Sequence, residues 1–159
     1  NSMKYELWMI GKTNEKYIVD GCNEYIKRIS RFANLQLLVW IDVKVSPDMP
    51  AETVKLKEGE SIIQKLGKDD YLVLLDEKGS QMNSRDFADY LEDFEWLGKK
   101  KAIFLIGGAF GFSKAVYERA NDKLSLSKMT LSHQLIRLFF LEQFYRAMTI
   151  QNNHPYHND

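Results

Sequence analysis

Two short apolar runs constrain this chain most. Tyr71, Leu72, Val73, Leu74 and Leu75 form one, and Ala102, Ile103, Phe104, Leu105 and Ile106 form the other. A strand with one wet face alternates apolar and polar residues, whereas an unbroken run of this length belongs to a strand covered on both sides. Covering both faces takes helices, and helix-like stretches separate the strand-like ones throughout. The spacing predicts strands over residues 5–10, 35–43, 71–75, 102–106 and 124–127. It predicts helices over 14–32, 51–66, 84–97, 114–121 and 133–150, with Ser84, Ser113 and Ser132 as caps. Strand–helix alternation of this kind predicts an α/β fold built on a mostly parallel sheet with helices on both faces.

The chain has 159 residues, 45% of them apolar, enough for one core. A single domain is expected over residues 3–159, with Asn1 and Ser2 ahead of Met3 read as an expression scar. Lys plus Arg and Asp plus Glu balance at 22 each, so no overall basic field points to a nucleic-acid partner. Any RNA contact must be local, as at Lys27, Arg28 and Arg31, with Tyr25 and Phe32 nearby to stack, or be shared across an oligomer. The alternative for these clusters, and for Lys99 to Lys101, is a solvated face. One cysteine, Cys22, excludes an internal disulfide and a cysteine zinc cluster. His133, His154 and His157 lack metal-ligand spacing, so no metal site is expected. No apolar run approaches the roughly 20 residues of a bilayer span, and no signal-peptide core is visible, so a cytoplasmic location is expected.

The last helix-like stretch is apolar nearly all the way round, from Leu135 to Ile150. A surface helix keeps one polar face. Here one flank can lie on the sheet and the other is expected to need a second subunit, which predicts a homodimer. Arg137 and Arg146 interrupt that helix. Glu142 stands four residues before Arg146, so a local ion pair and a phosphate or base contact remain equal readings.

Two strand ends carry small or flexible residues where an α/β sheet keeps its ligand. One is Gly107, Gly108, Ala109, Phe110 and Gly111. The other runs from Leu126 to Leu131, with Ser127, Lys128 and Thr130 alternating with Leu126, Met129 and Leu131. Neither dinucleotide nor P-loop fingerprints are present, which disfavours a nucleotide-linked oxidoreductase. A plain turn and a connecting loop are the competing readings of the two segments.

Taken together, these residues resemble a known family. The matching stretches are Leu105-Ile106-Gly107-Gly108-Ala109-x-Gly111, then Leu124-Ser125-Leu126-Ser127-Lys128-Met129-Thr130-Leu131-x-His133-Gln134-Leu135, Glu142-Gln143-x-Tyr145-Arg146-Ala147 and Pro155-Tyr156-His157. With Ile10-Gly11-Lys12, Glu15-Lys16-Tyr17 and Glu24-Tyr25-x-Lys27-Arg28 at the front, the similarity covers the whole chain. It is to the RlmH family of 23S rRNA pseudouridine N3-methyltransferases, in the SPOUT superfamily. The resemblance implies a C-terminal trefoil knot, S-adenosylmethionine held in it, and a homodimer with the knots at its interface. The implied substrate is a pseudouridine in helix 69 of 23S rRNA on the assembled ribosome. Carried over by position, the cofactor contacts are Leu75, Gly107, Leu126, Ser127, Lys128, Met129, Thr130 and Leu131. The catalytic or substrate positions are Arg146, Tyr156 and His157. On this basis His157, or a water held by it, is expected to take the N3 proton, Arg146 to stabilise charge on the ring oxygens, and Tyr156 to stack on or hydrogen-bond to the base. Ser132, where the family usually has Pro, and Phe110, in place of a polar residue, are the departures. A non-catalytic ribosome-binding factor on the same scaffold is the rival class.

Overall fold

In a computed structural model of the chain, the structure describes residues 3–40 and 45–158. Asn1 and Ser2, the end of the expected second strand from Ile41 to Val43, and Asp159 lie outside the described residues. The elements are β1 (Lys4–Ile10), α1 (Lys16–Ile29), β2 (Asn34–Trp40), α2 (Ala51–Lys65), β3 (Tyr71–Gln81), α3 (Ser84–Trp96), β4 (Lys101–Ile106), α4 (Lys114–Arg119), β5 (Asp122–Ser125) and α5 (Leu135–Gln151).

The five strands form one sheet in the order β2-β1-β4-β3-β5, and every pairing is parallel. The two apolar runs pair directly, with Val73 opposite Phe104 and Leu74 opposite Leu105. Side chains alternate across the sheet and build a core on each face. Leu7, Val73, Leu75, Phe104 and Ile106 pack against α1, α3 and α5. Trp8, Leu72, Leu74, Ile103 and Leu105 face the other way, with Ile62 of α2 and Val116 of α4. The expected two-sided α/β sheet is therefore present. No helix among the described residues is long and apolar enough to cross a membrane.

Three features differ from the sequence reading. First, β3 does not end at Leu75. Asp76, Glu77, Lys78 and Gly79 look like a turn, yet the backbone stays extended to Gln81 and re-pairs with β5 after a register shift between Leu75 and Ser80. Gly79 permits this, since a Cβ there would stand 2.6 Å from the Lys123 carbonyl carbon. Second, Asn83 rather than Ser84 caps α3 by accepting from the Asp86 N–H, and Ser84 Oγ donates to Gln143 Oε1 instead. Third, α5 buries more than one flank within its own chain, while Leu135 stays exposed and Ile136 and Phe139 partly so. It lies between α1 and α3 in a three-helix layer, where Phe140, Leu141, Phe144, Ala147 and Met148 are all buried. Gly21 lets α1 approach closely enough that a Cβ there would meet Leu138 Cδ1 at 2.8 Å.

Candidate active site

A cleft of about 380 Å³ opens at the carboxyl ends of β3, β4 and β5. This size suits a mid-sized cofactor. Leu75 at the end of the apolar part of β3, Gly107 just after β4, and Leu126, Ser127, Met129, Thr130 and Leu131 after β5 all line it. These segments are distant in sequence, and the parallel sheet delivers their strand ends to one edge. Lys128 lies within the third segment but is exposed and does not line the cleft.

Each wall has a local cause. After β4 the chain turns at once: Gly111 N–H donates to Gly108 O at 3.2 Å, and Gly111 takes φ +83°, the left-handed region that suits glycine. Gly107 leaves room for the Phe112 ring, which a Cβ there would meet at 3.0 Å. After β5, Ser125 Oγ donates to Ser127 O and Ser127 Oγ accepts from the Met129 N–H, each at 2.9 Å. Thr130 Oγ1 donates to Glu77 Oε2 at 3.3 Å, which pins this segment to β3. Ser132 Oγ then accepts from the Leu135 N–H at 3.0 Å, but the N-cap position of α5 is Gln134, whose side chain makes no capping bond, so the expected Ser132 cap lies two residues ahead of it.

Leu75, Ile106, Leu126, Leu131 and Ile136 offer an apolar surface, while Asp76 and Glu77 bring carboxylates to the rim. An aromatic base fits the first, and sugar hydroxyls or a cationic group fit the second. Sequence reasoning missed Asp76, Glu77, Phe112 and Tyr117 as lining residues. Tyr117 OH donates to Asp76 Oδ2 at 2.6 Å. Partial burial, then that bond, push its hydroxyl up to about 12. The readable signal was two acidic residues directly after an apolar strand. No group of three or more His, Cys, Asp or Glu residues among the described residues is placed to hold a metal ion.

Arg146, Tyr156 and His157 form a second constellation. Arg146 Nη1 donates to His157 Nδ1 at 3.1 Å, and its guanidinium lies 4.8 Å from the Tyr156 ring centroid. Arg146 Nη2 and Tyr156 OH both donate to Glu142 Oε2. The bond to Glu142 raises the Arg146 pKa further above its ordinary value, so its charge is permanent. Burial, with the Tyr25 and Glu142 contacts, raises that of Tyr156. The contact with Arg146 occupies the His157 lone pair at Nδ1, because a guanidinium can only donate. None of these three residues lines the cleft. Arg146 stands ten residues beyond the cleft's Ile136 on α5, about 15 Å at 1.5 Å per residue.

Arg137 is not available for RNA. It is 1% exposed and donates to His133 O, Thr13 Oγ1 and Ile10 O, and burial lowers its pKa. Arg28 pairs with Glu24 and lies over the Tyr25 ring, and Phe32 packs against Tyr145 and His154. Lys101 pairs with Glu6 and Asp70 at the amino edge of the sheet, opposite the cleft.

Residues 3–157 match a family model described as "Predicted SPOUT methyltransferase". Several curated relatives carry the name "Ribosomal RNA large subunit methyltransferase H". The one from Parabacteroides distasonis is 48% identical over 157 residues, covering 99% of this chain and 100% of the relative. The one from Bacteroides thetaiotaomicron is 45% identical with the same coverage. That from Cytophaga hutchinsonii is 44% identical over 156 residues, covering 98% of this chain and 100% of the relative.

Proposed function

The chain belongs to the SPOUT methyltransferase family, among the ribosomal RNA large subunit methyltransferases H, and from that membership we propose what its two constellations do. It is an rRNA methyltransferase that uses S-adenosylmethionine. Its substrate is N3 of a pseudouridine in helix 69 of 23S rRNA, presented on the assembled ribosome. The observation that carries this reading is that Leu75, Gly107 and Met129 line one cleft of cofactor size.

When bound, S-adenosylmethionine supplies a methyl group on a sulfonium, and the carbon–sulfur bonding pair returns to sulfur on transfer. The residues proposed to hold it are Leu75, Gly107, Leu126, Ser127, Met129, Thr130 and Leu131. Lys128 is proposed to reach it through its backbone, since its side chain is outside the cleft. The cleft fits such a molecule in volume, in its apolar inner surface and in its acidic rim. Positioning donor and acceptor in line supplies most of the acceleration in a displacement of this kind.

Arg146 is proposed to neutralise charge on the ring oxygens of the substrate, with Tyr156 against the base and His157 holding the guanidinium in place. Their distance from the cleft of their own chain supports a homodimer in which one copy's α5 and tail serve the other copy's cleft. Met129 at 79% exposed and Phe110 at 51% exposed stand beside that cleft as apolar surface for a partner to cover. The C-terminal trefoil knot belongs to the same proposal. Its support is the path of the chain, which leaves β5, folds back over the ends of β3 and β4 through residues 126–134, and only then enters α5. A single domain over residues 3–159 completes the reading, supported by one continuous sheet with a core on each face.

The test is mass mapping of helix 69 after incubating the protein and S-adenosylmethionine with ribosomes lacking the modification. A methyl group added to a single pseudouridine is the expected result. Intact ribosomes left unmodified, with the cofactor bound, would favour a non-catalytic ribosome-binding factor.

A further inference from the structure

A second cavity, of about 330 Å³, opens at the carboxyl ends of β1 and β2 and shares Gly108, Ala109 and His133 with the cofactor cleft. Two side chains in its wall carry a buried polar atom without a hydrogen-bond partner. Trp40 Nε1 is a donor and Glu58 Oε1 an acceptor. They are the two such side-chain atoms among the described residues. An orphaned buried donor or acceptor is costly, and folded proteins retain few without a reason.

Both side chains are held in place. Trp40 packs edge-on against Trp8 at 5.2 Å, with Lys65 Nζ 4.9 Å from its ring centroid. Glu58 projects from α2 toward the glycine loop, where a Cβ on Gly108 would meet its carboxylate oxygens at 2.8 Å. Glycine at 108 is what leaves the carboxylate its space.

We propose that this cavity receives the uracil ring of the substrate pseudouridine, with Glu58 accepting the N3 proton and Trp40 Nε1–H donating to a neighbouring ring carbonyl. The proposal rests on the methyl-transfer reading above and names the pocket and the proton acceptor for it. A uracil-type edge sets an N3–H between two carbonyls, so an acceptor and a donor in one wall match it. A cytosine would set an unprotonated nitrogen against the carboxylate, lone pair facing lone pair, and be rejected.

The proton balance is simple. The N3–H bond breaks first and its proton goes to the Glu58 carboxylate, which becomes the acid and later releases it to water, so that N3 is free to meet the methyl group. The bonding pair stays on N3 and forms the new bond to carbon. Burial holds the Glu58 carboxyl above the usual range, which makes it a stronger base than an exposed carboxylate. Among the described lining residues the other titratable side chain is His133.

The chain has three tryptophans, Trp8, Trp40 and Trp96, so its indole ¹⁵N–¹H spectrum is a compact reporter. Titration of the protein with free pseudouridine nucleoside is expected to move the Trp40 line saturably, with Trp40→Phe assigning it and cytidine leaving it in place. Glu58→Gln, nearly isosteric, is expected to lower methyl transfer to ribosomes by about 100-fold or more. The rise in Tm that S-adenosylmethionine gives should stay unchanged in that variant. A Trp40 line that does not respond to pseudouridine, or wild-type turnover in Glu58→Gln, would overturn the proposal. If the wild type itself fails to methylate ribosomes, the methyltransferase reading falls instead, and the nucleoside titration still decides what the cavity binds.

Discussion

The Arg146 guanidinium donates to His157 Nδ1 across 3.1 Å, tying the tail to the last third of α5. The tie is not isolated. Glu142 Oε2 accepts from both Arg146 and Tyr156, and Tyr25 OH stands 3.4 Å from Tyr156 OH. One carboxylate therefore organises the three proposed catalytic side chains. Its own exposure is low, with the Glu142 side chain 22% and the Arg146 side chain 24% exposed, so solvent screens the pair only in part.

Replacing Glu142 by Gln keeps the shape and removes the charge that holds Arg146 and Tyr156. The expected stability loss is about 1 kcal/mol, since other packing of the tail remains. Methyl transfer to ribosomes should fall by about tenfold or more, while the thermal shift on adding S-adenosylmethionine stays at the wild-type value. Amide exchange over residues 152–158 should accelerate. Slow exchange there in the variant would show that Glu142 does not organise the tail.

Gly79 and Gly107 separate two kinds of close approach. A methyl group at 79 would press on the β5 backbone, 2.6 Å from Lys123 C and 2.7 Å from Leu124 N, and backbone cannot rotate aside. Gly79→Ala is expected to cost about 2–3 kcal/mol in urea denaturation and to weaken cofactor binding by pushing β5 from β3. At 107 the obstacle is the Phe112 ring at 3.0 Å, a side chain that can shift by tenths of an ångström. Gly107→Ala should cost under about 1 kcal/mol and act mainly on cofactor affinity. Equal stability losses in the two variants would contradict this account.

Arg137 was an open choice in the sequence and is a structural residue in the fold. It joins Ile10, Thr13 and His133, all near the sheet edge that carries both cavities. Arg137→Met strips three acceptors of their donor and is expected to lower stability by about 3 kcal/mol. Affinity of the folded fraction for ribosomes should not change. A ribosome-binding defect at full stability would mean that Arg137 contacts RNA after all.

The sheet was legible because the strands of its centre carry unbroken apolar runs, and parallel pairing follows from covering both their faces. Its extension was not. Asp76 to Gly79 has turn composition, and only the passage of β5 across Gly79 explains why the backbone stays extended. The caps of α3 show a similar limit, since Asn83 and Ser84 are both capable and geometry chose between them. The all-round apolar α5 correctly signalled burial on more than one side, but a sequence does not say whether a neighbouring helix or a second chain supplies the cover. The residues proposed to hold the cofactor came from the family resemblance, and the structure adds that their segments meet at one cleft. Glu58 was invisible: it sits in a charged helix among Lys57, Glu60 and other polar residues, and nothing local marks that one carboxylate turns inward against Gly108.

That inward carboxylate gives a pH dependence of definite sign. Burial raises the Glu58 pKa in the folded protein above the value of about 4.3 for an unfolded chain. Between those two values the folded state binds more protons than the unfolded one, so the Glu58 contribution to stability falls as pH rises. It is fully present below about pH 4 and is lost once pH passes the folded pKa, where an unpaired charge is held out of water. Glu58→Gln cannot ionise and escapes that loss. Its Tm should match the wild type near pH 4 and exceed it at pH 7. His133, in the same cavity, is present in both proteins and largely cancels in the difference. Calorimetry of the two proteins from pH 4 to pH 8 reads the result directly. A Tm difference that does not change with pH would mean that the folded protein carries the Glu58 charge without penalty, and the carboxylate would then be no stronger a base than one in water.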